Sequence, residues 1–214
     1  MESPLCPPSD PGFRLIETFR WEPGSGILRR ARHLARLVRS AARLGIETKG
    51  VEAALETLEG DAPLRVRLTV DAKGQAEVTS APFQAMAEGA AWCVGLSDAV
   101  LDADDPWLHV KTTQRHVYDT ARANLPAGVD ELLFLNARQE LCEGTITNLF
   151  VDLGAGLITP PLCCGLLPGV LREEMIAKGA AQEAVLTVDD LRQARAIYVG
   201  NSLRGLIPSR LVGL

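Results

Sequence analysis

The sequence predicts a mixed chain of strands and helices (α+β / α/β) in two parts. Apolar alternation of period two and apolar stripes of helical spacing follow one another along the chain, with Gly, Pro, Asn and Asp at the breaks. The first part reads as strand, helix, helix and hairpin, a small unit of its own, and a new strand starts only after a Pro- and Gly-containing stretch. The 214 residues suffice for one large or two small domains.

Taken in order, residues 1–12 are rich in Pro, Ser and Asp and are expected to form an extended lead. Arg14 to Trp21 alternates as a strand, and Glu22-Pro-Gly-Ser-Gly26 is a turn. Ile27 to Leu44 reads as a helix whose apolar stripe is Leu28, Ala31, Leu34, Leu37, Val38, Ala41 and Leu44. Arg29, Arg32, Arg36 and Arg39 fall mostly off that stripe, which by itself describes a solvated basic face. His33, in the same run, reads as a packing or supporting residue. Val51 to Leu58 is a second short helix. Leu64 to Val70 and Gln75 to Ser80 form a hairpin about Asp71-Ala-Lys-Gly74. The expected boundaries are a small domain over 13–81, a linker over 82–90 and a larger domain over 91–214 that carries Lys111.

The larger domain opens with a strand, Ala91 to Leu96. Leu108 to Thr113 is expected as a short apolar strand leading into a helix up to Asn124, with Val117, Ala121 and Leu125 as its stripe. Lys111 then stands near a helix N-terminus, where the helix dipole opposes an ammonium and favours its deprotonation. Strands are expected over Glu131 to Leu135, over Glu140 to Phe150 with an extension to Leu153, and over Leu157 to Thr159. Leu167-Pro168-Gly169 opens a helix from Val170 to Lys178. Thr187-Val-Asp-Asp190 reads as a capping box for the next helix. Ala196 to Gly200 is a last buried strand, followed by Asn201-Ser202.

Composition narrows the function. Apolar content is 47% and charged content 23%, as in ordinary globular domains. The net charge of −5 is interspersed, with no basic patch among aromatics, so nucleic acid is excluded as an expected partner. No apolar run approaches the roughly 18 residues of a membrane span, and Met1 to Pro4 lacks signal-peptide character, so a cytoplasmic protein is expected. Five cysteines without a Cys-x-x-Cys pair, and three histidines without ligand spacing, suggest neither a disulfide framework nor a metal site.

Four features of the larger domain combine. Lys111 supplies an amine. Glu143 is a carboxylate in an apolar strand, where it needs a cationic or protonated partner. Leu167 to Leu171 places free N–H groups at a helix N-terminus, which suits an anion such as phosphate. Asn201-Ser202 adds polar groups beyond a strand end. Amine, carboxylate and anion cradle together match the needs of pyridoxal phosphate. The competing description is an ordinary α/β domain with one paired glutamate.

Seven pieces bring a resemblance into view: Glu17-Thr-Phe-Arg20, His33-Leu-Ala-Arg-Leu37, Lys111, Glu143-Gly-Thr-Ile-Thr-Asn-Leu-Phe150, Thr159-Pro-Pro161, Leu167-Pro-Gly169 and Gly200-Asn-Ser202. In order and distance the chain resembles the class IV aminotransferases, from about Phe13 to Leu211. That resemblance implies a two-domain D-amino-acid aminotransferase-like fold, pyridoxal 5'-phosphate as cofactor, a small-molecule amine substrate and a homodimer. It makes Lys111 the Schiff-base lysine and Glu143 the partner of the pyridine nitrogen. It assigns the phosphate to Arg36 and to the backbone of Val170 and Leu171 with Asn201 or Ser202, and adds Asn148 to the cofactor contacts. His116, Thr145 and Arg204 are implied near the substrate or in support, with His116 standing where branched-chain enzymes have a tyrosine.

His109-Val-Lys-Thr-Thr113 and Gly200-Asn-Ser-Leu-Arg-Gly205 look most like aminodeoxychorismate lyase-type members, which make 4-aminobenzoate and pyruvate for folate synthesis. The branched-chain pattern Lys-x-Gly-Gly-Asn-Tyr is replaced by Lys-Thr-Thr-Gln-Arg-His. A Gly-Asp-Gly element usual before the first strand is absent, which leaves the substrate open. An aminotransferase and an inactive cofactor-binding partner of a synthase are the alternatives.

Overall fold

The computed structural model describes residues 5–213; the first four residues of the expected lead and Leu214 lie outside the described residues. The chain forms two compact units. One takes the described residues up to Ala85 together with Val110–Gln114, the other Met86–His109 and the described residues from Arg115 onward.

The first unit contains β1 (Arg14–Glu22), β2 (Gly26–Ile27), α1 (Arg30–Arg43), α2 (Val51–Glu56), β3 (Leu64–Asp71) and β4 (Ala76–Pro82). Its antiparallel sheet has the order β2-β1-β3-β4. Period-two geometry puts Leu15, Glu17 and Phe19 of β1 on one face. All three are buried, the carboxylate included. The buried residues of α1 are His33, Arg36, Leu37, Ser40 and Ala41: of the expected stripe Leu37, Ala41 and, just past the helix, Leu44 are buried, while His33, Arg36 and Ser40 join them from the polar positions. Ala31 is exposed and Val38 is 60% exposed. The helix is rotated because Glu17 needs cationic and hydrogen-bonding partners, and these lie among the polar positions.

Residues 110–114 extend this sheet. Thr112 bridges Leu15 in antiparallel fashion. The Ile16 N–H donates to the Lys111 carbonyl (2.8 Å), and the Thr113 N–H donates to the Arg14 carbonyl (2.9 Å). Backbone pairing to β1 thus groups Lys111 with the smaller unit, whereas the sequence reading placed it in the larger domain. The segment before it, Pro106–His109, is a 3₁₀ turn. The next helix begins only at His116. A helix dipole fades within one turn, so the expected dipole effect does not reach Lys111.

The second unit contains β5 (Trp92–Leu101), α3 (His116–Ala123), β6 (Glu131–Asn136), β7 (Leu141–Gly144), β8 (Asn148–Asp152), β9 (Leu157–Thr159), α4 (Val170–Ala177), β10 (Ala181–Glu183), α5 (Val188–Gln193), β11 (Ala196–Asn201) and β12 (Gly205–Leu211). The strand order is β10-β9-β8-β11-β12-β5-β6-β7, and β7 also pairs with β8. Strands β8, β11, β12, β5, β6 and β7 therefore close into a ring with no free edge among them. Val94, Leu133, Leu149, Val151, Val199 and Ile207 form one core cluster, joined by Leu186 and Leu191. The expected capping box forms: the Thr187 N–H donates to Asp190 Oδ2 (2.7 Å) at the start of α5.

Three features differ from the sequence reading. The expected strand from Glu140 to Phe150 is a hairpin, β7 and β8 joined by Thr145–Thr147, with Glu143 opposite Asn148. Its cause is Glu131 of β6, which is fully buried. The Glu131 carboxylate accepts the N–H groups of Thr145 (2.9 Å) and Ile146 (3.2 Å), the Thr147 hydroxyl (2.9 Å) and the Thr145 hydroxyl. Gly144 makes room for it, since a Cβ there would lie 2.8 Å from Glu131 Cδ and 2.5 Å from Thr147 Oγ1. Strands β10 and β12 were not anticipated: β10 has three residues, two of them exposed, and β12 contains Pro208, a residue that argues against a strand in sequence. In α3, Tyr118 and Ala121 do the packing, while Val117 is 41% exposed.

Candidate active site

The first unit carries a buried ion cluster next to the Lys111 segment. Three-residue spacing brings His33 and Arg36 to one side of α1, facing Glu17 on β1. Arg36 grips the Glu17 carboxylate with both arms of its fork, Nε to Oε1 at 2.8 Å and Nη2 to Oε2 at 2.6 Å. His33 Nδ1 lies 2.6 Å from Oε2, and its ring packs edge-on against Phe19 at 4.8 Å. Burial alone pushes the Glu17 pKa up, but the Arg36 guanidinium and the hydrogen bonds from Arg36 and His33 outweigh it and hold the carboxyl down at about 2. For His33, burial lowers the pKa more than the Glu17 hydrogen bond and charge raise it, and the charges of Arg36 and Lys111 lower it further. The Lys111 ammonium is thus felt by the cluster. The Arg36 guanidinium is held in one orientation by Glu17.

In the second unit the central group is Glu143, 6% exposed on β7. Its Oε1 accepts the Tyr118 hydroxyl (2.7 Å) and the Leu167 N–H (3.0 Å), and its Oε2 accepts the Asn148 amide (3.3 Å). Asn148 also donates to the Leu167 carbonyl (3.0 Å). The Leu167-Pro168-Gly169 loop lies directly on this amide: a Cβ at Gly169 would come within 1.8 Å of Asn148 Oδ1. Glycine is required there by space, since its φ of −68° is ordinary. The loop leads into the first turn of α4, where Val170 and Leu171 are buried. A Cβ on Gly200 would meet Leu171 Cδ2 at 2.9 Å, so the end of β11 lies against that turn.

The remaining sequence candidates fall unevenly. Ser202 is 8% exposed just past β11. The Asn201 side chain serves its own turn: Oδ1 accepts the N–H groups of Leu203 (3.1 Å) and Arg204 (3.0 Å), and Nδ2 donates to the Ile146 carbonyl (3.3 Å). Thr145 is 2% exposed and held by Glu131. Arg204 is half-buried, and His116 is exposed at the start of α3. Sequence reasoning did not single out Glu17, Tyr118 or Glu131 as site residues. Glu17 stood inside a quoted motif without a role. Tyr118 lies in the helix that also holds His116, and only the structure shows which of the two reaches the carboxylate.

The amino-transferase class IV family model matches residues 14–212. A Mesorhizobium loti protein provisionally named an amino-acid aminotransferase has a solved structure that is 45% identical, covering 94% of this chain and 100% of its own at a TM-score of 0.88. A Legionella pneumophila protein provisionally named 4-amino-4-deoxychorismate lyase shares the fold at 23% identity and a TM-score of 0.79, covering 92% of this chain and 82% of its own. A Schizosaccharomyces pombe protein provisionally named aminodeoxychorismate lyase is 27% identical over 191 residues, 84% of this chain and 82% of its own length. With a match over nearly its whole length and the mixed α/β fold of these neighbours, the chain belongs to the amino-transferase class IV family, whose members are pyridoxal-phosphate enzymes.

Proposed function

We propose that this protein is a pyridoxal-phosphate-dependent aminodeoxychorismate lyase, releasing 4-aminobenzoate and pyruvate. The observation that carries the cofactor part is Glu143, a buried carboxylate whose plane is set by Tyr118, Leu167 and Asn148. The residues present fit the cofactor. A fixed carboxylate suits a protonated ring nitrogen, the loop at Gly169 and the first N–H groups of α4 suit a phosphate, and Lys111 offers an amine to an aldehyde. Lyase rather than transfer chemistry is supported by the Lys-Thr-Thr-Gln-Arg-His sequence and by the likeness to the Schizosaccharomyces pombe protein along most of both chains.

When bound, pyridoxal phosphate supplies an electron sink for the carbon that bears the substrate nitrogen. Glu143 would hold the proton on the ring nitrogen. Within the second unit the N–H groups of Val170 and Leu171 and Ser202 would hold the phosphate, while Asn148 steadies Glu143; the family resemblance adds Arg36 to the phosphate contacts. Lys111 would take the proton from the carbon bearing nitrogen and return one as the enolpyruvyl group leaves. The protein would work as a homodimer; light scattering at micromolar concentration tests this, and a monomer would contradict it.

A second reading, an aminotransferase with a 2-oxo acid as acceptor, is favoured by the name of the 45%-identical Mesorhizobium loti protein. One experiment separates the two. The purified protein with pyridoxal phosphate is given chorismate, glutamine and a synthase, and 4-aminobenzoate and pyruvate are followed. A parallel reaction offers amino acids and 2-oxoglutarate. Formation of 4-aminobenzoate supports the lyase, and amino transfer without it supports the second reading. Cofactor binding with neither activity marks an inactive partner of a synthase.

A further inference from the structure

We propose that Tyr118 is a positioning residue for Glu143, its hydroxyl fixing the carboxylate plane and keeping it ionised toward the cofactor ring. The inference rests on the pyridoxal-phosphate reading above. Helix α3 contains no fully buried residue, yet it is registered on the β7–β8 hairpin at three points of one face. Arg115 donates to the Thr145 carbonyl (2.7 Å), Tyr118 to Glu143 (2.7 Å) and Arg122 to the Thr145 hydroxyl (3.1 Å). The Tyr118 ring stands edge-on to Phe134 at 5.1 Å, and the Arg115 guanidinium lies 5.4 Å from its centroid. Arg115 is itself tied to Asp119 at 2.7 Å. Helix and ring are therefore both held, and the hydroxyl is aimed at Oε1.

A neutral donor has a specific merit in this position. It favours the charged form of the carboxylate without offering a full positive charge that would compete with a protonated ring nitrogen. Burial and the neighbouring Glu143 charge raise the Tyr118 pKa far above its ordinary value, so the phenol keeps its proton and remains a donor. The Leu167 N–H shares Oε1 with it. With the Asn148 amide on Oε2, these bonds leave the plane of the carboxylate little freedom to rotate. Loss of the hydroxyl removes the shortest of these bonds while the ring stays packed on Phe134.

The test is a double-mutant cycle of Tyr118→Phe and Glu143→Gln, read by the pyridoxal phosphate dissociation constant and by kcat and KM for whichever reaction the wild type performs. A hydrogen bond to a charged group corresponds to about ten- to a hundredfold. Tyr118→Phe is expected to lower kcat by that factor with little change in KM, and to weaken cofactor binding. Both effects are expected to disappear in the Glu143→Gln background. A purely structural tyrosine would lower the melting temperature of the cofactor-free protein and act additively with Glu143→Gln, and either an additive cycle or an unchanged kcat overturns the inference. Wild-type protein that takes up no cofactor overturns the underlying reading as well. Uptake by the wild type, with a Tyr118→Phe variant that behaves identically, overturns this inference alone.

Discussion

Replacing Glu17 by Gln removes one negative charge from a site that is 1% exposed, and leaves the Arg36 guanidinium, 4% exposed, without its bidentate partner. Two routes give the size of the effect. Breaking a buried ion pair from one side costs about 3–5 kcal/mol. Linkage gives a similar figure: a carboxyl lowered from 4.5 to about 2 contributes roughly 3 kcal/mol at pH 7. Because the folded pKa is the depressed one, that stability is present above pH 4.5 and is lost as pH falls toward 2. Glutamine resembles the protonated acid, so the difference between wild type and variant should itself depend on pH. It should be roughly 3 kcal/mol at pH 7 and fall to less than half by pH 3. The assay is urea unfolding of both proteins, cofactor-free, from pH 7 to pH 3. Acid-labile groups away from the cluster are common to both proteins and cancel in the difference; His33 does not, because Glu17 raises its pKa, so the comparison is made in a His33→Gln background as well. His33 adds a separate effect: its pKa is depressed as well, so the wild type should begin to lose stability as pH drops below 6.5. A difference that is constant with pH, or below about 1 kcal/mol at pH 7, would refute the reasoning, since a weak surface-like pair behaves that way.

Borohydride reduction of the cofactor-loaded protein followed by peptide mapping is expected to mark Lys111; a mark on Lys49, Lys73 or Lys178 would defeat the assignment. Arg36→Ala should weaken pyridoxal phosphate binding about ten- to a hundredfold more than Arg32→Ala or Arg39→Ala, measured by fluorescence titration, and equal effects would reduce the basic run to a solvated face. Gly169→Ala should destabilise the protein by about 1–3 kcal/mol through its collision with the Asn148 amide. Chemical denaturation reads that loss, and cofactor affinity should fall with it because the loop lies against Asn148 and Glu143.

Patterned surfaces were legible in the sequence, and buried polar partnerships were not. The alternation of Leu64 to Val70 and the capping box at Thr187 announce their elements because the information is local. Glu143 stood out because a carboxylate in an apolar context demands a partner, and Lys111 because it was expected at a helix N-terminus, although the helix begins only at His116. The face of α1 was read only in part, through Leu37, Ala41 and Leu44, for the opposite reason. Its inner side holds His33 and Arg36, and what draws them inward is Glu17 on another element. The hairpin at Thr145–Thr147 reads as a continuous strand until Glu131 is brought beneath it by β6 pairing to β7. Tyr118 was hidden by its surroundings, since a tyrosine on a polar helix carries no mark of the carboxylate it meets.

The visit of Val110–Gln114 to the first unit has a consequence for biosynthesis. The sheet of that unit lacks its Leu15–Thr112 pairing until residues well beyond β5 have emerged from the ribosome. Its completion is therefore delayed by loop closure across nearly a hundred residues between Arg14 and Thr113. A nascent chain halted near residue 90 should hold α1 over β1 but leave one stretch of β1 backbone unpaired, open to protease and to pairing with a neighbouring chain. Excision at the apparent boundary would likewise yield a fragment without the segment that bears Lys111. The two units are distinct as bodies but not as stretches of message, and separating them genetically would call for a rejoined chain order rather than a cut.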